Sequence, residues 1–61
     1  MGKAVKAVEY EVVRVDKDRA VIRRADGRTA SVQTHWLVVE GGRARAVSQV
    51  KQLRIEGLVW E

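Results

Sequence analysis

Cysteine, phenylalanine and asparagine are absent from this 61-residue chain, and His35 is its only histidine. Without cysteine the chain can form neither a disulfide framework nor a thiolate metal site, the two usual supports of so small a domain. One histidine among scattered carboxylates matches no zinc-binding spacing. We therefore expect no metal and no cofactor, and a stability that comes from the core itself or from oligomerisation.

Residues suited to catalysis are also scarce. Cysteine is not available as a nucleophile, and Ser31 and Ser48 lie in no Gly-x-Ser-x-Gly context. Glu9 and Glu11 can share one side of a strand, but two solvated carboxylates explain this pair as well as acid–base chemistry does. The sequence predicts a protein that is not an enzyme and has no catalytic residues.

Long apolar runs are missing too. No segment approaches the roughly 18 to 20 consecutive apolar residues of a membrane span, and residues 1–6 lack the apolar region of a signal peptide. We expect a cytoplasmic protein without a membrane partner. The lack of both asparagine and cysteine is typical of thermophiles, although a GC-rich genome would favour the same composition.

Basic residues are abundant by contrast. Lysine and arginine number 12 against 8 acidic residues, which gives a net charge of +4, and eight of the 12 cations are arginine. Arginine forms bidentate contacts with phosphate and stacks on planar groups, whereas lysine acts as a hydrated point charge. This balance favours a polyanionic partner, RNA or DNA.

Alternating apolar residues predict the first strand. Val8, Tyr10 and Val12 point one way, and the phase then slips, because Val13 and Val15 continue the apolar series on the other parity. Such a slip is typical of a β-bulge that bends a strand, and a bent strand suits a small barrel.

A hairpin is predicted next. The polar turn Asp16-Lys17-Asp18-Arg19 leads into a second strand over residues 20–25, and Asp26-Gly27 is a strong signal for a two-residue loop. With that loop, Val21, Ala30 and Val32 share the core surface, and Arg23 lies on the same side near an open end of the barrel. The opposite, polar surface then carries Ile22, Arg24, Thr29 and Ser31.

A second hairpin is predicted around Gly41-Gly42, which follows the apolar run 36–39. This loop makes Val39 face Ala44 and Leu37 face Ala46, and these pairs are the expected core. The outward face then carries Trp36, Val38, Arg43, Arg45 and Val47.

The spacing of the apolar residues changes in the C-terminal part of the chain. Val47, Val50 and Leu53 are spaced by three, which indicates a short helical turn capped by Ser48, and a closing strand with a bend at Gly57 should follow through Leu58 and Trp60. The predicted fold is an all-β, five- to six-stranded antiparallel SH3-like barrel with a short helical turn before the last strand. It forms one domain over residues 8–61, preceded by a frayed segment 1–7. An OB-like barrel and a paired or swapped β-sheet dimer are the alternatives.

The segment 14–28, RVDKDRAVIRRADGR, resembles the bent hairpin of small SH3-like nucleic-acid binders such as crenarchaeal chromatin proteins and KOW-type ribosomal domains. The resemblance implies an SH3-like barrel that binds nucleic acid, in a ribonucleoprotein or chromatin assembly. This chain differs from the archaeal chromatin proteins in being rich in arginine and not lysine.

Five arginines cluster near the two predicted turns and are candidates for contacts with phosphates. Trp36 is either a base-stacking platform beside them or a core anchor. The candidate nucleic-acid-binding residues are Arg23, Arg24, Arg28, Trp36, Arg43 and Arg45.

The predicted function is a non-enzymatic, largely sequence-independent RNA- or DNA-binding module. The alternative is a protein-interaction or assembly module, a homodimer or small accessory subunit. Its apolar seam would consist of Trp36, Val38, Val47 and Trp60.

Overall fold

A computed structural model describes residues 8–61, so the expected fraying of residues 1–7 lies outside the described part of the chain. The described residues form five antiparallel strands in one sheet, in the order β3-β2-β1-β5-β4, with one short helix. The elements are β1 (Tyr10–Asp16), β2 (Arg19–Arg23), β3 (Thr29–Gln33), a 3₁₀ turn (Thr34–Trp36), β4 (Leu37–Glu40), β5 (Arg43–Ala46) and α1 (Gln49–Glu56). No helix in this part of the chain is long and apolar enough to cross a membrane.

The sheet is open, with β3 and β4 as its two edges. The prediction of antiparallel strands is confirmed, but the predicted closure into a barrel is not. Residues 58–60, where the sequence predicts a closing strand, have no strand structure. The sheet therefore has two distinct faces, one packed and one open.

The predicted bulge lies in β1. Val12 pairs with Ile22 and Arg14 pairs with Val21, so Val13 is an extra residue opposite no partner. The bulge lets apolar residues before and after it face the same side of the sheet. The sequence-based prediction of a phase slip at this point is confirmed.

The first hairpin differs from the prediction. The Arg24 N–H donates to the Arg28 carbonyl at 2.8 Å and the Gly27 N–H donates to the Arg24 carbonyl at 3.0 Å, which closes a three-residue loop and not the predicted two-residue one. Gly27 has φ of 91°, the left-handed conformation that ends a three-residue hairpin loop. Asp26 supports this shape, because its Oδ1 accepts the Arg28 N–H at 3.0 Å.

The extra loop residue reverses the assignment of sides in β2. Ile22 pairs with Ala30 and is fully buried, whereas Val21 pairs with Ser31 on the opposite face. The prediction that Val21 is core and Ile22 faces outward is wrong, and Arg23 is exposed, away from the core. The buried residues of β2 and β3 are Ala20, Ile22, Ala30 and Val32.

The second hairpin has the predicted register. Gly41 and Gly42 both have positive φ, 58° and 79°, as a two-residue hairpin loop requires. Leu37 and Ala44 are buried as expected, but Val39 on the edge strand is 44% exposed. The observed pairs are Leu37 with Ala46, Val38 with Arg45, Val39 with Ala44 and Glu40 with Arg43.

Helix α1 begins at the predicted cap and continues further than predicted. The Ser48 hydroxyl accepts the Lys51 N–H at 3.3 Å, which satisfies one of the free donors of the first turn. The helix continues to Glu56, and the Gly57 N–H closes it with a 3.1 Å bond to the Leu53 carbonyl. The predicted closing strand is absent, and the C-terminal part reaches the core through Ile55 of the helix.

The core lies between the sheet and the C-terminal segment. Ile55 is fully buried against a cluster that includes Tyr10, Ile22 and Val32. Trp60 is half-buried and packs on the same cluster. This packing defines a helix face of the sheet, which α1 and Trp60 cover.

Candidate nucleic-acid interface

The face of the sheet opposite α1 is the candidate interface, and we call it the open face. Successive strand residues point to alternate sides, so the observed pairs assign every strand residue to one face. Its members are Glu11, Arg14 and Asp16 of β1, Arg19, Val21 and Arg23 of β2, Thr29, Ser31 and Gln33 of β3, Val38 and Glu40 of β4, and Arg43 and Arg45 of β5.

Five exposed arginines lie on the open face. They come from β2, β1 and β5, which are adjacent in the sheet. Arg23, Arg43 and Arg45 were candidates from the sequence, whereas Arg14 and Arg19 were not. For Arg14 the phase slip is the available signal, because it places Arg14 on the side of Glu11 and opposite Val12 and Val15.

Charged residues on the open face form one row across four strands. Arg23 pairs with Glu11, Glu11 pairs with Arg43, and Arg43 pairs with Glu40. Neighbouring strands lie about 4.8 Å apart, so Arg23 and Arg43 are separated by about 10 Å with a carboxylate between them. Charge therefore alternates along the row.

Exposed carboxylates pair with three of the five arginines. Each of these ion pairs lies in solvent, where such a pair contributes about 0 to 1 kcal/mol. Another anion can displace the carboxylate at little cost in free energy. The pairs are Arg23 Nη1 with Glu11 Oε1 at 3.2 Å, Arg43 Nε with Glu9 Oε1 at 3.3 Å, and Arg45 Nη1 with Glu40 Oε1 at 3.6 Å.

Arg14 and Arg19 occupy the other end of the open face. Arg19 donates from Nε to the Ser31 hydroxyl at 3.0 Å, which holds its guanidinium beside the β3 edge. Within residues 8–61 neither arginine lies within ion-pair distance of a carboxylate. These two are the arginines of the face whose charge no described ion pair neutralises.

Arg24 does not join the open face, and the prediction that it shares a surface with Thr29 and Ser31 is wrong. Its guanidinium binds Asp26 through two contacts, at 2.7 and 3.3 Å, and lies 4.7 Å from the centre of the Trp60 ring. The Arg24 guanidinium and the Arg28 N–H lower the pKa of the Asp26 carboxyl below its usual value. Arg24 therefore has a structural role, because it links the loop of the first hairpin to Trp60.

Arg28 follows the loop directly, where its backbone bonds to Arg24. Arg28 is exposed and lies at the end of the sheet where the first hairpin turns. Of the six candidate residues, the register therefore brings only Arg23, Arg43 and Arg45 together on the open face.

Trp36, for which the sequence left two roles open, is half-buried and packs against the core cluster. The Lys51 ammonium lies 5.0 Å from the centre of its ring, and the His35 ring approaches it edge-on at 6.5 Å. Lys51 belongs to α1, so the helix side of the molecule already occupies one face of the indole.

No family model, no curated protein and no solved structure matches the chain. Among the described residues no group of three histidine, aspartate or glutamate side chains could hold a metal ion.

Proposed function

We propose that the protein is a non-enzymatic module that binds nucleic acid through its open face. One observation carries the proposal: strand pairing brings five exposed arginines from three adjacent strands onto one face of the sheet. Arginine is suited to phosphate because its planar group donates two parallel hydrogen bonds. Contacts of this kind are made with the nucleic-acid backbone and give little sequence specificity.

Polar groups on β3 support the same proposal. Thr29, Ser31 and Gln33 lie on the open face beside the arginines of β2. Hydroxyl and amide donors commonly make the neutral contacts with phosphate and sugar oxygens. They would extend the contact surface towards the β3 edge, where the Glu61 N–H donates to the Thr29 carbonyl at 2.8 Å.

The bent β1 supports an SH3-like relationship for the fold. β1 pairs with β2 along its length and with β5 at its start, and the bulge lies where the two pairings part. We infer that the open sheet is a variant of the SH3-like arrangement that the segment 14–28 resembles. A small bent sheet of this kind presents a broad surface, which suits backbone recognition.

Fluorescence anisotropy of labelled oligonucleotides tests the function. Non-specific binders have dissociation constants of about 10⁻⁴ to 10⁻⁶ M at physiological salt, and each phosphate contact contributes about 0.9 to the slope of log K against log salt for a duplex. Contacts from three to five arginines predict a slope of about −3 to −4.5. No rise in anisotropy at low salt and high protein concentration would contradict the proposal.

A matched pair of variants locates the site. Arg14→Gln removes an open-face cation, and it should reduce the salt slope by about one contact. Arg54→Gln removes the same charge from α1, where the residue is exposed, and it should leave the slope unchanged. Equal losses in the two variants would show that net charge, and not the open face, drives binding.

A second candidate function, a protein-interaction module, is favoured by a different surface. Val50 and Leu53 lie three residues apart on α1 and are 61% and 69% exposed, and Val47, just before the helix, is 46% exposed. The predicted seam does not form as a unit, because Trp36 and Trp60 pack into the core. A mass in solution that is dimeric and persists at high salt would favour this candidate.

A further inference from the structure

The chain has one tyrosine and two tryptophans, and all three are engaged on the helix side. Tyr10 and Trp60 stack on each other with ring centres 5.6 Å apart, and Arg24 covers Trp60. Trp36 packs on the core under Lys51. None of the residues that the register assigns to the open face is aromatic.

This placement bears on the form of nucleic acid that the open face can hold. Single-strand binders gain about 1 to 3 kcal/mol per base by stacking bases on exposed aromatic rings. The open face offers guanidinium, hydroxyl and amide groups instead, which recognise backbone oxygens. A partner bound there must supply its affinity through phosphates.

Phosphate density differs between duplex and single-stranded nucleic acid. A duplex carries one charge per about 1.7 Å of its axis, whereas one strand of it carries one per about 3.4 Å. The three arginine-bearing strands span about 10 Å, the distance of two strand spacings. Over that distance a duplex carries about six phosphates on its two backbones, and a single strand carries about three.

The rigidity of a duplex also favours its binding over that of a single strand. The arginines are fixed on three hydrogen-bonded strands, with Arg23 and Arg43 in register on either side of Glu11. A duplex holds its phosphates in a fixed array before binding, so fewer groups must be ordered. A flexible single strand has to be ordered along its whole contact, without stacking to compensate.

We propose that the partner of the open face is a double-stranded nucleic acid, held by both backbones and without base stacking. This inference rests on the proposed function and specifies its substrate class. The shared chemistry is a paired phosphate array, which duplex DNA and duplex RNA both provide.

The test is a comparison of one duplex with each of its separated strands, at equal phosphate concentration and low salt, in DNA and RNA versions. We expect at least one duplex to bind about fivefold or more tightly than either of its strands, with a steeper dependence on salt. Strands that bind as tightly as both duplexes would overturn the inference. Absence of binding to every oligonucleotide would instead overturn the proposed function itself.

A substitution of Trp36 provides an independent readout. Trp36→Leu removes the ring without changing charge, and circular dichroism confirms that the variant is folded. Duplex affinity should stay within twofold of the parent protein, because Trp36 is not part of the open face. A selective loss of single-strand affinity in Trp36→Leu would show that the indole stacks on bases and would contradict the inference.

Where Trp36→Leu does not fold, the fluorescence of the parent protein gives the same information. Quenching of tryptophan by single strands but not by duplexes would contradict the inference. Duplex binding that raises anisotropy and leaves the tryptophan emission unchanged would support it.

Discussion

Trp60 stacks on Tyr10 with ring centres 5.6 Å apart, so the segment that follows α1 is attached to the first described strand. The Trp60 indole N–H also donates to the Ile55 carbonyl at 3.1 Å, just before the end of α1. One side chain thus connects the C-terminal segment, the helix and the sheet. In a core with few large side chains, we expect this contact to be a main source of stability.

Truncation of this side chain should be costly. Trp60→Ala should lower the free energy of unfolding by about 2 to 4 kcal/mol, because it removes the stack on Tyr10 and the indole hydrogen bond. Urea denaturation followed by circular dichroism measures the change. Val59→Ala is the matched control, since Val59 is 81% exposed and should change stability by less than about 0.5 kcal/mol. A similar loss in both variants would contradict the role assigned to Trp60.

Removal of one carboxylate from the charged row should strengthen nucleic-acid binding. Glu11 lies between Arg23 and Arg43, so Glu11→Gln frees one guanidinium and removes a repulsion from phosphate. Affinity at low salt should rise about three- to tenfold, equivalent to about 0.6 to 1.4 kcal/mol. Glu56→Gln makes the same charge change on α1 and should have a smaller effect. Anisotropy titrations compare the two variants. Weaker binding by Glu11→Gln would contradict the assignment of binding to the open face.

The turn between β1 and β2 contains a residue in an unfavourable conformation. Lys17 has φ of 52°, in the left-handed region that residues other than glycine and asparagine avoid. Lys17→Gly should stabilise the protein by about 0.5 kcal/mol, since relief of this strain outweighs the greater freedom of glycine in the unfolded chain. Asp18→Gly is the matched control, because its φ is not positive, and it should be destabilising. Thermal denaturation distinguishes the two.

Stability should fall in alkali because of Tyr10. Burial, opposed by the hydrogen bond from Gln52, raises the pKa of the Tyr10 hydroxyl above its ordinary value of 10.0. Since the folded-state pKa exceeds the unfolded one, the folded protein retains the proton longer. The contribution is complete below pH 10 and is lost as the pH rises through the folded-state pKa.

Tyr10→Phe checks this dependence. The variant should lose about 1 kcal/mol at neutral pH, because the Gln52 amide no longer donates to the hydroxyl at 2.8 Å. Its urea midpoint should then fall less steeply than that of the parent protein above about pH 10. Identical alkaline profiles would show that other groups control the transition.

The two hairpins show what could be predicted from sequence. Gly41-Gly42 fits one loop well, because both residues adopt positive φ, and its register follows directly. Asp26-Gly27 fits both a two-residue and a three-residue loop. The choice depends on tertiary burial, since only the longer loop places Ile22 in the core and Arg23 in solvent.

The C-terminal segment was ambiguous for another reason. Leu53 and Ile55 alternate, and so do Leu58 and Trp60 beyond Gly57, but this spacing also fits a helix, and short apolar segments do not resolve the two. The Ser48 cap was a correct local signal for the start of the helix. Its end depended on the burial of Ile55 by distant strands.

The sequence predicts an arginine-rich face of a sheet, but it does not predict which arginines lie on that face. Composition indicated arginine on a β-face, but the error of one residue in the first hairpin exchanged Arg23 with Arg24. The same error hid Arg19, because the three-residue loop fixes which side of β2 it occupies. The position of Trp36 depended on Lys51 and the core, which no local pattern shows.

The bulge at Val13 has a consequence for shape. Deletion of Val13 would leave each observed pair of β1 with β2 possible, and would keep Val12 and Arg14 on their present faces. What the strand would lose is the extra bend and twist that a bulge adds. The curvature of the sheet is thus set by the length of one strand, independently of its charges.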